Sequence, residues 1–359
     1  MRTPTACSYV GACGGCTVAN PFDPGELYAK RQLLNHALQD AGFPDPNIAP
    51  LITIPMGSRR RMDFAAARVS GAIHFGLHAP RSHVVVNIRA CPLADPRIES
   101  LIGPLRALFG QLNGMRRKGS VLVTITEAGI DVCLGLDDEA TIADRIRLID
   151  FAQSLDLARV SLVDDPILIR RAPTHRSGPL SIRVPPGAFL QPSGEGEKAI
   201  LTSIIRFLPR RLPRRARIAE LYAGVGSFTG VLAQYAKIHT FEGSKAATAA
   251  LEHAVRHAGL TGMVTSEVRD LTRRPVMADE LSSFAAVILD PPFGGAGVQI
   301  TQIAASGVGR VIYVSCNPKT LAQDASALRR SGYVLIEAVP IDQFPGSKHL
   351  EAVVSFDKN

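Results

Sequence analysis

The stretch IAELYAGVGSF, residues 218–228, decides the fold. A short apolar strand leads into a Gly-x-Gly turn that begins at Gly224, where the chain should pass from a strand into a helix. Glycines at such a turn let the backbone approach a bound ligand closely. Thr229 stands where a third glycine would complete the dinucleotide-binding pattern, which argues against a dinucleotide. The stretch therefore predicts a nucleoside site on an α/β sheet, with a plain tight turn as the alternative.

From residue 189 onward, strand candidates alternate with helical stretches around this turn. This alternation predicts a doubly wound α/β domain over residues 189–359. A last strand at 350–356 follows its predecessor closely, which favours an antiparallel hairpin at the edge of the sheet. The expected strands are 216–223, 237–243, 263–268, 284–290, 309–316 and 333–341, and the expected helices include 244–258 and 318–331.

The chain before residue 189 divides into a cysteine motif, a helical segment and an antiparallel α+β middle domain. In the helical segment, leucines recur at helical spacing and a glycine supplies the stop. In the middle domain, short apolar runs alternate with turn signals. The three segments are residues 1–18, 19–50 and 51–188, with a helix over 22–42, a strand over 82–91 and two strands within 121–136 around Ala128-Gly129.

The overall composition is that of a globular protein of about two domains. The chain has 359 residues, of which 46% are apolar and 20% charged. No apolar run approaches the roughly 20 residues that a membrane helix needs, and the N-terminus lacks the apolar core of a signal peptide. We therefore expect a cytoplasmic protein without a membrane partner, and a monomer by default. A net charge of +8 favours a polyanionic partner.

Two acidic residues at predicted strand ends suggest what the glycine turn binds. Glu242 ends the next strand, about 20 residues after the turn, where a carboxylate can accept both hydroxyls of a ribose. Together with the missing third glycine, this fits S-adenosylmethionine (SAM), which has no pyrophosphate. Asp290 begins an Asp-Pro-Pro sequence after an apolar strand and gives a rigid acidic lip. The alternatives are a surface glutamate, a simple loop break, and the Asp-Pro-Pro-Phe motif of amino-methylating enzymes.

A cysteine and a glutamate supply a possible covalent mechanism. Cys316 follows the apolar strand at 309–316 and precedes Asn-Pro, so it lies where chemistry occurs on such sheets. Uracil C5 is a poor nucleophile, but a thiolate that adds to C6 gives C5 carbanion character. A base must then remove the C5 proton, and Glu351 is the candidate. The alternatives are an inert buried cysteine and a capping or ion-paired carboxylate.

With these motifs in order, the sequence resembles the SAM-dependent RNA uracil-5 methyltransferases over nearly its whole length. The resemblance implies that Cys316 adds to C6 and that Glu351 takes the C5 proton. It further implies that Gln191, Tyr222, Glu242, Asp270 and Asp290 line the SAM pocket. The motifs are FLQPS (189–193), LYAGVGSFT (221–229), DPP (290–292), SCNPKTL (315–321) and FPGSKHLE (344–351).

Several positions depart from the residues usual in the family. The departures affect the expected grip on SAM and on the substrate, and they leave the catalytic pair unchanged. They are Ser193 and Ser227 for asparagine, Phe293 and Gln323 for arginine, and Gly346-Ser347 for His-Thr.

Four cysteines form a possible metal site. Cys7, Cys13 and Cys16 lie close together in sequence, and Cys91, followed by proline, supplies a distant fourth thiolate. Four thiolates can hold zinc or an iron–sulfur cluster, and three plus one is the more cluster-like arrangement. Part of the family carries a 4Fe–4S cluster on such cysteines, so the resemblance implies the same here, with zinc as the alternative. Cys133 is expected to be an ordinary core residue.

The expected function is methylation of uracil C5 in RNA, most simply ribosomal RNA. The alternatives are a transfer RNA substrate and a non-catalytic RNA-binding protein of the same fold. Many family members begin with a β-barrel RNA-binding domain, which is expected to be missing because the cysteine motif starts at residue 7. RNA contacts would then come from the middle domain and from basic groups at 59–61, 116–118, 170–171 and 206–217.

Overall fold

The computed structural model describes residues 7–163, 165–209, 211–212 and 216–359. The strands are β1 Ile52–Thr53, β2 Arg61–Val69, β3 Ala72–His78, β4 Val85–Asn87, β5 Lys118–Thr126, β6 Gly129–Leu136, β7 Arg159–Leu162, β8 Asp165–Ile169, β9 Thr174–Ser177, β10 Leu180–Arg183, β11 Arg217–Leu221, β12 Lys237–Glu242, β13 Val264–Val268, β14 Ala286–Leu289, β15 Arg310–Ser315, β16 Tyr333–Asp342 and β17 Glu351–Lys358. The helices are α1 Pro24–Asp40, α2 Pro96–Glu99, α3 Ile102–Gln111, α4 Ile142–Ser154, α5 Gly194–Phe207, α6 Thr229–Leu232, α7 Lys245–His257, α8 Ala278–Ser282, α9 Val298–Ser306 and α10 Pro318–Arg330.

The larger sheet has the strand order β1-β16-β17-β15-β14-β11-β12-β13. Strands β13, β12, β11, β14 and β15 are parallel to one another, and β17 is antiparallel to both β15 and β16. Helices α1, α8, α9 and α10 bury apolar side chains on one face, and α5, α6 and α7 on the other. The α/β expectation for this region is confirmed.

The position of β17 differs from the sequence prediction. It forms the expected hairpin with β16, but it lies between β16 and β15 rather than at the sheet edge. Its residues Ala352 to Phe356 are buried because both sides of the strand are paired and both faces are covered. The edge is instead closed by β1, a two-residue strand parallel to β16.

The N-terminal helix packs on the larger sheet. The predicted helix over 22–42 is found as α1, and it ends before Gly42, whose φ is +95°. Leu34 and Leu38 are fully buried in the apolar core on the α10 side of the sheet, where α1 contacts α10 and β16, whereas Leu27 is only partly buried. Lys30 of the same helix forms a buried ion pair with Asp342 at the end of β16. The segment 19–50 therefore packs as a layer on the larger sheet.

The middle region is built on a second sheet of strand order β4-β3-β2-β5-β6-β7-β8. The hairpin expected around Ala128-Gly129 is present as β5 and β6. The strand expected over 82–91 is only three residues long, because the chain folds back on one side and leaves the sheet on the other, where the Cys91 amide donates to Glu99. The core of the middle region contains Phe64, Phe75 and Phe109.

The packing crosses the boundaries expected at residues 51 and 189. The hairpin of β9 and β10 lies in the 51–188 stretch, yet Leu180 and Ile182 are buried in the core of the larger sheet beside α6 and α7. Strand β1 also joins that sheet. In the described part of the chain, no helix is both long enough and apolar enough to cross a bilayer.

Candidate active site

The predicted site residues of the α/β domain follow strands at one edge of the larger sheet. They come at or just after the carboxyl ends of five parallel strands, which all point the same way and so bring these residues together. The residues are Tyr222 and Gly224 after β11, Glu242 at the end of β12, Asp270 after β13, Asp290 after β14 and Cys316 after β15.

Two glutamines link the acidic residues of the site. Gln191 Nε2 donates to Asp290 Oδ2 at 2.9 Å. Gln343 Nε2 donates both to Gln191 Oε1, at 3.1 Å, and to Glu351 Oε2, at 3.2 Å. Gln191, Gln343 and Glu351 are almost entirely excluded from solvent, whereas Asp290 is partly exposed. The structure thus joins β14, the loop before α5, and the ends of β16 and β17 through one hydrogen-bonded chain.

Burial and mutual repulsion keep the acidic groups of this site protonated to an unusual degree. Burial raises the pKa of Asp290 to about 7. Burial and the nearby Asp290 raise the pKa of Glu351 well above its ordinary value, although the bond from Gln343 opposes the shift. Burial, and then Glu351 and Asp290, raise the pKa of the Cys316 thiol to about 12. The Cys316 thiol is therefore near enough to both carboxyl groups for their charges to disfavour its ionisation.

Cys316 opens into a cavity of about 740 Å³ between the two sheets and the cysteine motif. The α/β domain contributes Phe293, Phe344 and His349 to its lining, beside Cys316. The cysteine motif and the middle region supply the rest, including Gly14, Gly15, Arg59, Asp63, His78, Arg81 and His83. Asp290 and Glu351 do not line the cavity, but both contribute to the raised pKa of the thiol. A substrate group reaching Cys316 must therefore enter between the two domains.

The glycine turn after β11 has the shape that the sequence predicts. Gly224 and Gly226 adopt φ values of +57° and +94°, and Tyr222 before them also has a positive φ of +60°. Glu242 accepts a hydrogen bond from the Gly224 amide at 2.8 Å and another from the Ser244 amide at 2.7 Å. Each carboxylate oxygen retains a further lone pair for a hydroxyl group.

The turn leaves room for a ligand. A Cβ built on Gly224 meets no atom within 4 Å, so the space above this backbone is open. Asp270 is exposed and accepts from the Thr272 amide at 3.0 Å, on the loop adjacent to Gly243. These donors and acceptors suit a nucleoside, and their contacts with SAM stay a prediction.

The four cysteines of the predicted metal site converge on one small enclosed pocket. Cys7, Cys13, Cys16 and Cys91 all line it, with Leu77 and Ile88 among its apolar walls. Burial, followed by the other three cysteines, raises the pKa of Cys16 to about 12. Their chemistry and convergence fit a thiolate-bound group. Across the described residues, however, no three His, Cys, Asp or Glu side chains are already positioned as ligands of one metal ion.

The cysteine motif is also attached to the loop before Glu351. Thr17 and Val18 donate their amides to the Gly346 carbonyl at 2.6 and 3.2 Å. The Gly14 amide donates to the His78 carbonyl at 2.8 Å. The motif therefore connects the cavity wall from the middle region with the loop that carries Phe344 and His349.

Most of the basic groups proposed for RNA contact have local partners. Arg60 pairs with Glu197, and Arg170 and Arg171 both pair with Asp156. Arg116 pairs with Asp138, and Arg206 pairs with Glu337, while Arg117 and Lys118 are exposed. Arg59 lines the cavity. Arg210, Arg214 and Arg215 lie outside the described residues.

Sequence reasoning missed Gln343 and the cavity-lining role of two histidines. Gln343 ends the chain of contacts to Glu351, and its only sequence signal is a polar residue immediately after a strand. His78 and His83 are exposed and line the cavity that contains Cys316, and no motif in the sequence indicates this position.

Comparisons with known proteins agree on one type of enzyme. The family model described as tRNA (uracil-5-)-methyltransferase matches residues 176–359. An RNA methyltransferase of Brucella suis without a characterised substrate is 35% identical over 99% of this chain and 85% of its own length. The 23S rRNA (uracil(1939)-C(5))-methyltransferase RlmD of Chromohalobacter salexigens is 31% identical over 98% of this chain and 76% of its own.

A solved structure supports the fold independently. The Pyrococcus abyssi tRNA (uracil-54, C5)-methyltransferase, in complex with S-adenosyl-L-homocysteine, superposes with a TM-score of 0.70. The superposition covers 92% of this chain and 82% of the archaeal chain, and the two sequences are 21% identical.

Proposed function

Because the chain belongs to the tRNA (uracil-5-)-methyltransferase family and is an RNA (uracil-5-)-methyltransferase, we propose that it methylates C5 of an unpaired uridine through a covalent bond to Cys316. The observation that carries the proposal is a cavity-lining cysteine whose thiol has two carboxyl groups nearby, which are linked through Gln191 and Gln343. SAM supplies the electrophilic methyl group when bound.

Cys316 acts as the nucleophile. Its thiol loses a proton to the Asp290 carboxylate as uracil binds, which leaves Glu351 ionised for the later step, and the sulfur then bonds to C6. The high pKa of the thiol means that little thiolate exists before the substrate arrives. The same basicity makes the thiolate a strong nucleophile once it forms, since nucleophilicity rises with thiol pKa. Electron density moves to C5, which takes up the methyl group of SAM, and S-adenosyl-L-homocysteine is left as the second product.

Glu351 acts as the base. After methyl transfer C5 carries both hydrogen and methyl, and loss of the proton allows the C6–S bond to break. Glu351 Oε1 is buried and has no hydrogen-bond partner among the described residues, whereas Oε2 accepts from Gln343. One oxygen is thus held in place and the other is available to the proton. The raised pKa makes the carboxylate a stronger base than an exposed glutamate.

Cofactor binding is proposed for Gln191, Tyr222, Gly224, Glu242, Asp270 and Asp290. The support is the open glycine turn and the position of these residues after parallel strands. Glu242 would accept the ribose hydroxyls, since both of its oxygens are oriented by backbone amides.

The favoured substrate is ribosomal RNA. Support comes from the RlmD relative, which this chain matches over most of both lengths. Transfer RNA is the alternative, because the family description and the superposed archaeal enzyme both name it. The target must lie in a loop or be flipped out, since Cys316 cannot reach a base stacked in a helix. A monomer in the cytoplasm stays a prediction.

The decisive experiment combines deletion of the gene with mapping of 5-methyluridine across all cellular RNA. One position should lose its methyl group and regain it with the wild-type gene. Cys316→Ala should fail to restore it while the purified variant still binds SAM. Cys133→Ala is the matched control, because Cys133 is another half-buried cysteine but lies on β6. Methylation by the Cys316→Ala variant would contradict the covalent mechanism.

We also propose a 4Fe–4S cluster on Cys7, Cys13, Cys16 and Cys91, with zinc as the alternative. The support is the convergence of the four thiols on one apolar pocket. The cluster would hold the cysteine motif against the middle domain, because its ligands must lose their protons and come together. Anaerobically purified protein should absorb near roughly 400 nm and contain iron and sulfide. Cys13→Ser should remove both signals, and a colourless protein with one zinc ion would contradict the cluster.

A further inference from the structure

Three aromatic side chains from the α/β domain line the cavity beside Cys316. The ring centroid of His349 lies 5.9 Å from that of Phe293 and 6.0 Å from that of Phe344, in edge-to-face geometry. All three residues line the same cavity as Cys316. They come from two separate segments, the loop after β14 and the loop between β16 and β17. We call this set the aromatic wall.

Phe293 is exposed but its backbone is held firmly. Its side chain belongs to the exposed large hydrophobic residues, at 56% of its full accessible area. Asn317 Nδ2 donates to the Phe293 carbonyl at 3.0 Å, and Thr320 Oγ1 donates to it at 3.4 Å. Both donors follow Cys316 in the chain. An exposed ring on a backbone fixed to the nucleophile's own loop suits ligand contact better than packing.

The same cavity is lined from the middle region by two arginines and two histidines, together with Asp63. Arg81, His78 and His83 line it from β3 and the loop that follows. Arg59 lines it too, with its guanidinium 5.9 Å from the Phe344 ring centroid. Aromatic faces combined with a cationic groove are the features that bind single-stranded nucleic acid, the rings by stacking on bases and the cations by contact with phosphates.

The size of the cavity and the place of the reactive groups distinguish two base positions. At about 740 Å³ the cavity is in the range that holds a drug-sized ligand, more than one pyrimidine ring fills. The target uracil must lie at Cys316, with Glu351 behind it. The space along the aromatic wall is then left for another part of the RNA.

We propose that the aromatic wall, with Phe293 as its exposed member, stacks the base of the nucleotide adjacent to the target uridine. The ligand is single-stranded RNA with at least two consecutive unpaired nucleotides. The inference rests on the proposed function for the identity of the target uridine. Stacking recognises the face of any base, so this subsite grips the strand without fixing the sequence.

The test measures binding of a labelled heptamer, AAAUAAA, by fluorescence anisotropy without SAM, so that no turnover occurs. Phe293→Ala should raise Kd about 5- to 150-fold, which corresponds to base–aromatic stacking of about 1–3 kcal/mol. Phe293→Trp should bind at least as well as wild type. Phe293→Leu, which is apolar but cannot stack, should resemble Phe293→Ala. Tyr28→Ala, an exposed aromatic on α1 outside the cavity, should leave Kd unchanged.

An abasic site links the effect to the neighbouring base. Removing the base on one side of the central uridine should weaken wild-type binding by the same factor as Phe293→Ala. The two changes together should cost no more than either alone, because they remove the same contact. Full additivity, an unchanged Kd for Phe293→Ala, or no binding of the heptamer by the wild type would overturn the proposal. Methyl transfer to cellular RNA is measured separately, so failure of the proposed function is distinguishable.

Discussion

Gly196 lies directly against the glutamine that orients the proposed base. A Cβ built on Gly196, in the first turn of α5, would come within 2.0 Å of Gln343 Oε1 and 2.7 Å of its Cδ. Gly196→Ala should therefore displace Gln343 and weaken its bonds to Gln191 and Glu351. We expect kcat for methyl transfer to fall about tenfold to a hundredfold, since a displacement of about 1 Å in the groups that position the chemistry can cost that much. Steady-state kinetics with the mapped RNA substrate measure this.

A neighbouring glycine provides the control. A Cβ on Gly194, in the same helix turn, would meet only Arg60 Nη1, at an ordinary 3.8 Å. Gly194→Ala should leave kcat near the wild-type value. Alanine favours helix more than glycine does, so a general loss of helix stability is excluded in both variants. Equal kcat values for the two variants would contradict the role given to Gln343.

The raised carboxyl pKa values predict how the rate depends on pH. Glu351 accepts a proton only when it is ionised, and its pKa lies well above the ordinary value. Asp290, with a pKa of about 7, titrates with it as a pair. Since both folded-state pKa values are raised, activity should be lost as the pH falls. The single-turnover rate should rise steadily from pH 6 to 8, a range in which an exposed glutamate is already fully ionised.

The Gln343→Leu variant tests whether Glu351 causes this pH dependence. The hydrogen bond from Gln343 favours the ionised form of Glu351, so its removal should move the rise to higher pH. Circular dichroism over the same range should show an unchanged fold. A rate that is flat between pH 6 and 8 would mean that neither carboxyl group has the proposed raised pKa.

The positions of the two proposed reacting residues are easier to predict from the sequence than those of the residues that contact them. Cys316 and Glu351 stand in local motifs, each after or at the start of an apolar strand, so their positions follow from strand ends alone. Gln343 donates a hydrogen bond to Gln191, which lies 152 positions earlier in the chain. No local pattern encodes such a contact, because it arises only when α5, β16 and β17 pack together.

At the scale of the element, the loop between β16 and β17 depends on the cysteine motif. Gly346 accepts hydrogen bonds from Thr17 and Val18, adopts φ +78°, and would place a Cβ 3.2 Å from Cys16 Sγ. Gly346→Ala should strain this contact and shift the loop that carries His349. We expect a lower kcat and, for the proposed cluster, faster loss of metal to a chelator, measured by absorbance or metal release.

Gly259 separates the effect of backbone strain from that of the contact. It also has a positive φ, +67°, but a Cβ there meets no atom within 4 Å. Gly259→Ala carries the same conformational cost of about 1–2 kcal/mol without touching the cysteines. It should leave kcat and metal release unchanged. If both variants behave alike, the loop is independent of the cysteine motif.

Most helices and strands could be predicted from the sequence, but the order of neighbouring strands within the sheet could not. Helix α1 and strands β11 to β16 follow from apolar periodicity, because each buries one stripe or both faces. The insertion of β17 between β15 and β16 could not be derived, since sequence proximity explains its pairing with β16 but not with β15. Strand β4 is shorter than its apolar run because the chain leaves the sheet towards α2.

At the scale of the whole molecule, the stretch around Arg59 and Arg60 joins the two sheets. Arg59 forms isolated bridges with both Ala94 and Ser193. The Arg60 amide donates to the Pro192 carbonyl at 2.7 Å, and its Nε donates to the Gln191 carbonyl at 3.0 Å. An arginine run in sequence suggests RNA contact, and the structure uses part of it to connect the domains. The motif that contains Gln191 is thereby held from the middle region.

The connection predicts the energetic cost of losing Arg60. Its guanidinium lies 2.8 Å from Glu197, and the two side chains are only 17% and 13% exposed. Removal of one partner from such a buried pair leaves an uncompensated charge, which costs about 3–5 kcal/mol. Arg60→Met should lower the free energy of unfolding by about 3 kcal/mol in urea denaturation at pH 7.5. Arg97→Met, which breaks the exposed pair with Asp95, should cost less than about 1 kcal/mol.

Two further measurements test the cause of that loss. Arg60→Met combined with Glu197→Gln should recover much of the stability, because no buried charge is left unpaired. Burial already raises the pKa of Glu197, and without Arg60 it should rise further. The carboxyl group then becomes neutral sooner as the pH falls, so the deficit of Arg60→Met should shrink between pH 7.5 and 5.5. A deficit independent of pH, or a double variant no more stable than the single one, would show that Arg60 stabilises the domain junction by packing rather than by charge.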